Sequence, residues 1–113
     1  MTSGKKLHRG DVYWANLDPT VGFETKKKRP CLIVSNDIIN EMSNVIIVAP
    51  ITSTIKRVYS CEVKSQIGKK LGKIMLQQCR SIDKSRLEAK LDHLDFEVMK
   101  LVDEAIKVAF GLS

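Results

Sequence analysis

The feature of this sequence that most constrains its fold is the order of its segments, with short strand-like runs first and one amphipathic helix last. Residues 11–17 alternate in the manner of a strand and end at an Asp-Pro pair. Residues 30–35 are nearly all apolar, which predicts a strand buried on both faces. Residues 45–49 predict a third strand, reached through a polar connection or short helix at residues 36–44.

Two more strands are predicted over residues 60–64 and 72–78, on either side of a Gly/Lys turn at residues 68–72. Five or more short strands followed by one helix indicate an α+β, mostly β fold, a small and strongly bent sheet or barrel. No repeat, low-complexity tract or linker interrupts the sequence, so we expect residues 1–113 to form a single domain.

The helix is predicted after Asp95, which is a favourable N-cap residue. Acidic residues crowd its first half, Lys107 lies near its end and Gly111 follows, all in accord with helix polarity. Its apolar residues recur at helical spacing, and we expect this stripe to pack on the sheet: Val98, Leu101, Val102, Ala105, Ile106 and Ala109.

Charge is unevenly distributed along the chain. The net charge is +6, but residues 1–80 carry 14 basic and six acidic groups, whereas residues 81–113 carry five and seven. The first two thirds would therefore attract a polyanion, although an ordinary basic domain gives the same pattern. No apolar run reaches the roughly 18 residues of a membrane span, and no apolar stretch follows the basic start, so we expect a cytoplasmic protein.

Cysteine and histidine usage argues against a metal centre. The three cysteines are an odd number without CxxC spacing, so we expect them to be small buried side chains. Because the chain has only two histidines, we expect no metal and no cofactor. A paired-histidine site would require His8 and His93 in one cleft. The sequence motifs of the usual nucleophiles, phosphate loops and zinc sites are absent. The glycines of residues 68–72 resemble a phosphate loop only weakly and are more typical of a hairpin turn.

Three polar positions at strand ends are candidates for chemistry. Arg29 precedes Pro30, which biases it away from helix, and its planar fork of donors suits a phosphate, although it also continues a run of solvated lysines. The hydroxyls of residues 52–54 follow a strand, where they either donate to a phosphoryl oxygen or satisfy a turn. Gln77 and Gln78 either read base edges or simply end a strand.

Taken together, six segments closely resemble toxins of the MazF/PemK type. They are RGDVYW at residues 9–14, LDPTVGFE at 17–24, KRPCLIVSND at 28–37, VAPIT at 48–52, QCRSID at 78–83 and LD at 94–95. The resemblance covers nearly the whole chain and implies an SH3-like, strongly twisted barrel with a C-terminal helix, assembled as a homodimer. It further implies the toxin of a type II toxin–antitoxin system, held inactive by a cognate antitoxin protein.

The activity implied by the resemblance is sequence-specific, metal-independent cleavage of single-stranded RNA, chiefly mRNA. By position, Arg29 and Thr52 match the family's catalytic residues, and Glu24 matches a loop residue of the site. Lys28 and Ser53 adjoin these positions and, with Gln78, are expected to contact RNA. The three lysines at residues 26–28 depart from many relatives, so the cleavage motif cannot be taken from them.

The hypothesis for the mechanism is attack of the RNA 2′-OH on the adjacent phosphorus, which leaves a 2′,3′-cyclic phosphate and a 5′-OH. Arg29 would stabilise the developing charge, and the Thr52 hydroxyl would bind a non-bridging oxygen. The proton acceptor stays open between Arg29 and Glu24. Two alternatives share the same fold: a CcdB-like toxin that poisons gyrase through residues near Phe110, and a non-catalytic RNA-binding module.

Overall fold

A computed structural model describes residues 6–17 and 28–113 of the chain. Its described elements are seven strands and two helices. They are β1 Asp11–Asn16, β2 Lys28–Ile33, α1 Asp37–Met42, β3 Val45–Thr52, β4 Glu62–Ile67, β5 Lys70–Met75, β6 Arg80–Asp83, β7 Leu87–His93 and α2 Phe96–Phe110. Short 3₁₀ turns occupy Leu76–Gln78 and Lys84–Arg86.

The strands form one antiparallel, curled sheet in the order β4-β5-β3-β2-β1-β7. Strand β3 is long enough to pair with two strands along one edge, β6 at residues 45–48 and β5 at residues 51–52. Because β3 also pairs with β2 on its other edge, it brings residues that are distant in sequence to its C-terminal end. The mostly β fold class with a C-terminal helix, predicted from the sequence, is confirmed.

Both faces of the sheet are covered by apolar side chains. Leu32 belongs to a cluster that α2 closes through Met99, Val102 and Ala105. The neighbours of Leu32 in β2, Cys31 and Ile33, point to a second cluster on the opposite face. Because both faces of β2 are buried, its sequence is apolar at successive positions and does not alternate between apolar and polar residues.

Helix α2 begins and ends where the sequence predicts. The Asp95 carboxylate accepts a hydrogen bond from the Val98 amide at 2.9 Å, and Gly111 adopts a φ of 71° at the C-cap. The predicted stripe was wrong at Leu101, which is 57% exposed, whereas Met99 is buried. The buried side of the helix is therefore rotated toward Met99 and away from Leu101.

The β4–β5 hairpin differs from its prediction. The turn consists of Gly68 and Lys69 alone, and Gly72 lies inside β5 opposite Ser65. Residues 76–78 form a 3₁₀ turn rather than the end of a strand. No helix of the described residues is long and apolar enough to cross a membrane.

Candidate active site

Arg29 lies at the start of β2 and turns toward β3. The β2–β3 pairing ends at Cys31 and Pro50, two residues from Arg29 along β2 and two residues from Thr52 along β3. Arg29 and Thr52 line the same cavity at this end of the two strands. The Arg29 guanidinium donates to the Ile51 carbonyl at 3.2 Å, which holds it beside the residue that precedes Thr52.

Thr52 ends β3 and opens the segment that leads to β4. Its Oγ1 accepts a hydrogen bond from the Thr54 amide at 3.2 Å, as the turn interpretation predicts. The same residue lines the cavity described next, so the turn fixes the hydroxyl at the mouth of the site. The two interpretations left open by the sequence are therefore compatible.

A cavity of about 630 Å³ lies at this end of β3. Its walls come from β1, β2, β3, the β4–β5 hairpin and β7. The described lining residues are Trp14, residues 28–30, residues 51–53, residues 67–72 and Leu91. A cavity of this size is sufficient for a nucleotide-sized group.

The structure brings four of the six sequence-predicted site residues to this cavity: Lys28, Arg29, Thr52 and Ser53. Glu24 lies outside the described residues. Gln78 is not among the lining residues, and its side-chain amide donates to the Met75 sulfur at 3.7 Å.

The position of Gln78 follows from the pairing of β3. Arg80, two residues after Gln78, pairs with Val48. Because β3 and β6 are antiparallel, Gln78 lies between this pair and the Ile51–Ile74 pair, where the chain passes from β5 to β6. The contact of Gln78 with RNA stays a prediction, and it concerns a residue that does not line the cavity.

The cavity is strongly basic. Lys28, Arg29, Lys69 and Lys70 line it, and none of its described lining residues is acidic. Lys28 is partly neutralised by Glu88, whose carboxylate lies 3.3 Å from its ammonium. A concave surface with this charge concentrates a polyanion at the mouth of the site.

Sequence reasoning missed Trp14 and the hairpin residues as parts of the site. Trp14 pairs with Pro30 across β1 and β2 and is 38% exposed, whereas its neighbours Tyr13 and Ala15 are buried. Alternation along β1 puts Trp14 on the same face as Val12, and a large aromatic side chain near the end of that strand was the available signal. The indole offers a flat surface on which an unpaired base can stack.

Burial shifts the pKa values of two neighbouring groups. It lowers the pKa of the Arg29 guanidinium from its ordinary value, which makes proton release easier than from a solvated arginine. Burial also raises the pKa of the Cys31 thiol to about 12, so this thiol stays protonated at neutral pH. Cys31 is thus an inert core side chain, as predicted, whereas Cys61 and Cys79 are only partly buried.

The two histidines lie away from the cavity. His93 Nδ1 is 2.6 Å from the buried Asp11 carboxylate, and the His8 backbone amide donates to the same carboxylate at 3.0 Å. Neither histidine is among the described lining residues. In residues 6–17 and 28–113, no three His, Cys, Asp or Glu side chains form a group able to hold a metal ion.

A buried ion pair supports the segment that follows Thr52. Lys73, paired with Thr52 across β3 and β5, lies 3.0 Å from the Glu62 carboxylate and donates to the Arg57 carbonyl at 2.6 Å. Glu62 also accepts from the Tyr59 amide at 2.9 Å. The pair therefore ties the 53–61 connection to the hairpin beneath it.

Comparison with known proteins agrees with the fold. Residues 8–110 match the family described as PemK-like, MazF-like toxin of type II toxin–antitoxin system. The chain is 42% identical over 111 residues to endoribonuclease EndoA of Bacillus subtilis, an alignment covering 94% of this chain and 96% of EndoA.

Solved structures are similar over almost the full length. MazF of Deinococcus radiodurans (Form-I) superposes with a TM-score of 0.83 at 27% identity, covering 96% of this chain and 99% of that one. The MazE–MazF complex of the same organism (Form-II) gives a TM-score of 0.76 at 26% identity, with the same coverage. The chain belongs to the family of PemK-like, MazF-like toxins of type II toxin–antitoxin systems.

Proposed function

We propose that this toxin is an endoribonuclease that cleaves single-stranded RNA at the cavity between Arg29 and Thr52. The observation that carries the proposal is that Arg29 and Thr52 line one basic cavity together with the exposed indole of Trp14. The name of its 42% identical relative, endoribonuclease EndoA, supports the same activity. The family match does not favour the gyrase-poisoning alternative.

The proposed reaction uses the nucleophile that RNA itself carries. The 2′-oxygen attacks the adjacent phosphorus and loses its proton to a base, while the bond to the 5′-oxygen breaks and that oxygen takes up a proton. The products are a 2′,3′-cyclic phosphate and a 5′-OH, and no redox step or co-reactant is needed. The proposed reaction does not involve a metal ion.

Arg29 and Thr52 act on the developing charge. The bond to the Ile51 carbonyl fixes where the guanidinium fork lies, and the Thr54 amide fixes the Thr52 hydroxyl oxygen. Preorganised donors of this kind contribute about 3–4 kcal/mol of transition-state stabilisation each. We therefore expect Arg29→Ala to lower kcat at least about a hundredfold.

The variant Glu24→Gln decides whether Arg29 or Glu24 accepts the proton. None of the described lining residues is a carboxylate or an imidazole, which leaves Arg29, with its lowered pKa, or Glu24 for this role. If Glu24 is the base, Glu24→Gln lowers kcat and removes the acidic limb of the pH–rate profile. If Arg29 is the base, Glu24→Gln keeps that limb.

The test is incubation of the purified protein, in EDTA, with a long unstructured RNA, followed by mapping of the new ends. Discrete cuts with cyclic-phosphate termini, lost in Arg29→Ala and in Thr52→Ala, support the proposal. A substrate with 2′-deoxyribose at the scissile position should bind and stay intact. Cleavage of that substrate, or intact RNA with the wild-type protein, contradicts the proposal.

We further propose a cytoplasmic homodimer with a cognate antitoxin as its protein partner. Membership of a toxin–antitoxin family and the similarity to MazF bound to MazE support the antitoxin. Exposed apolar side chains on α1 and β3 support self-association: Ile38, Met42, Val45 and Ile47. A measured solution mass of twice 12.7 kDa would support the dimer, and Ile47→Lys should then reduce it to the mass of the monomer. A monomeric wild-type protein at micromolar concentration contradicts it.

A further inference from the structure

The tip of the β4–β5 hairpin is a feature that the proposed mechanism does not use. Its sequence, Gly-Lys-Lys-Leu-Gly at residues 68–72, has glycines like those of a phosphate loop, but no helix follows it. Gly68 and Lys69 form a two-residue turn, and Gly68 has a φ of 60°. The backbone cannot cradle a phosphate as a loop before a helix does, so any anion must be bound by the side chains.

Lys69 and Lys70 line the same cavity as Arg29 and Thr52. Both are exposed, and among the described residues neither has an acidic partner within 4 Å. Five of the nine other described lysines do have such partners: Lys28 with Glu88, Lys73 with Glu62, Lys90 with Asp11, Lys100 with Glu97 and Lys107 with Glu104. The hairpin tip thus places two unneutralised cations at the wall of the site.

Two contacts hold this tip at a defined place. The Gly68 amide donates to the Asp92 carboxylate on β7 at 2.7 Å. At the other end of the segment, Gly72 lies so close to β3 that a Cβ atom there would be 2.9 Å from Ile51 Cγ2 and 3.2 Å from the Thr52 carbonyl. The lysines are therefore carried by a hairpin whose distance from Thr52 is set by backbone packing.

We propose that Lys69 and Lys70 form a phosphate-binding site of the RNA groove, which holds a backbone phosphate adjacent to the scissile one. Asp92 is the positioning residue that fixes the hairpin through Gly68. The inference rests on the proposed function, because it names a further binding site for the same RNA. Since this phosphate does not change charge during the reaction, the lysines contribute equally to binding of substrate and transition state.

Uniform binding of this kind predicts a specific kinetic result. Lys69→Gln/Lys70→Gln should raise the KM for an oligoribonucleotide and leave kcat at saturating RNA unchanged. Each lysine that releases counterions from a single strand contributes about 0.7 to the slope of log K against log salt. The slope of the double variant should therefore be smaller by about 1.4. Between 50 and 200 mM salt, the factor by which its Kd rises should be about seven times smaller than the factor for the wild type.

The measurement is fluorescence anisotropy with an RNA that carries 2′-deoxyribose at the scissile position, at several salt concentrations. The matched control is Lys100→Gln/Lys107→Gln, which removes the same charge from α2, away from the cavity. This control should keep the wild-type slope. Asp92→Ala should reduce the slope although both lysines remain, and Asp92→Asn should restore most of it because the amide oxygen can still accept from Gly68.

Several outcomes would overturn the inference. The first is that the lysine double variant has the same salt slope and Kd as the wild type. The second is that kcat falls in this variant while its Kd is unchanged. A third is normal RNA binding together with lost affinity for an acidic antitoxin peptide, which would assign the tip to protein docking. The proposed function fails separately if the wild-type protein leaves RNA intact, or if Arg29→Ala cuts as fast as the wild type.

Discussion

Replacing Lys73 by methionine tests whether the buried ion pair beneath the active-site segment stabilises the fold. The Lys73 and Glu62 side chains are only 11% and 2% exposed, and their charged atoms are 3.0 Å apart. The substitution keeps much of the apolar stem of Lys73 but removes its ammonium, with its bonds to Glu62 and to the Arg57 carbonyl. Glu62 would then be a buried carboxylate without its countercharge.

The expected loss can be worked from these contacts. Removing one partner of a buried pair costs about 3–5 kcal/mol. Glu62 keeps its bonds from the Tyr59 amide at 2.9 Å and from Gln77 at 2.7 Å, so we expect the lower end, about 3 kcal/mol. With an unfolding entropy of about 2.1 cal/mol/K per residue, this loss lowers the Tm of the 113-residue chain by about 13 °C.

The pH dependence supplies a second, signed readout. Burial by itself would raise the pKa of Glu62, but hydrogen bonds from Tyr59, Gln77 and Lys73 and the charge of Lys73 lower it below its ordinary value of 4.5. The folded state therefore binds the proton less readily than the unfolded state. The stabilisation is fully present above about pH 5 and is lost as the pH falls through the folded pKa. Lys73→Met should weaken this loss.

The assay is thermal unfolding followed by circular dichroism at pH 7 and at steps down to pH 3. Lys64→Met is the matched control, because Lys64 is exposed and lies directly opposite Lys73 on β4. This control should change stability by no more than about 0.5 kcal/mol. A Tm shift below about 2 °C for Lys73→Met, or an equal shift for the control, would refute the reasoning.

Three further outcomes are expected. Gly72→Ala should lower the free energy of unfolding by about 1–3 kcal/mol, because its Cβ would collide with Ile51. It should also lower kcat, because the same Cβ would push the Thr52 backbone, and unchanged kinetics of RNA cleavage would contradict this. Asp95→Ala should cost about 1 kcal/mol in chemical denaturation by removing the N-cap of α2, with RNA cleavage unaffected at a temperature where the protein is folded. Cys31 should resist iodoacetamide at pH 8 in the folded protein and react after denaturation, because burial raises its pKa to about 12; rapid labelling by mass spectrometry would disprove that.

Local sequence signals located the elements that depend on local interactions. Asp95 and Gly111 marked the ends of α2, because capping is decided within one helical turn. The apolar run of β2 was recognisable because both faces of that strand are buried. Arg29 directly precedes this run, so the candidate site was found together with the strand.

Strands β6 and β7 were not predicted, and the structure shows why. In β7 only Leu87 is buried, and its pairing with β1 shifts register on either side of Tyr13. These irregularities break the two-residue period that identifies a strand in sequence. The four residues of β6 are held by pairing with β3, which is a long-range interaction.

The sequence by itself determined the family, the basic character of the first two thirds, the terminal helix and the choice of Arg29 and Thr52. Only the tertiary structure placed Trp14 and the lysine hairpin in one cavity with those two residues, and left Gln78 out of the cavity lining. The reason is that β3 pairs with β2 on one edge and with β5 and β6 on the other. Which residues meet across such an edge depends on the register between strands distant in sequence, whereas the alternation within one strand fixes only which face each side chain takes.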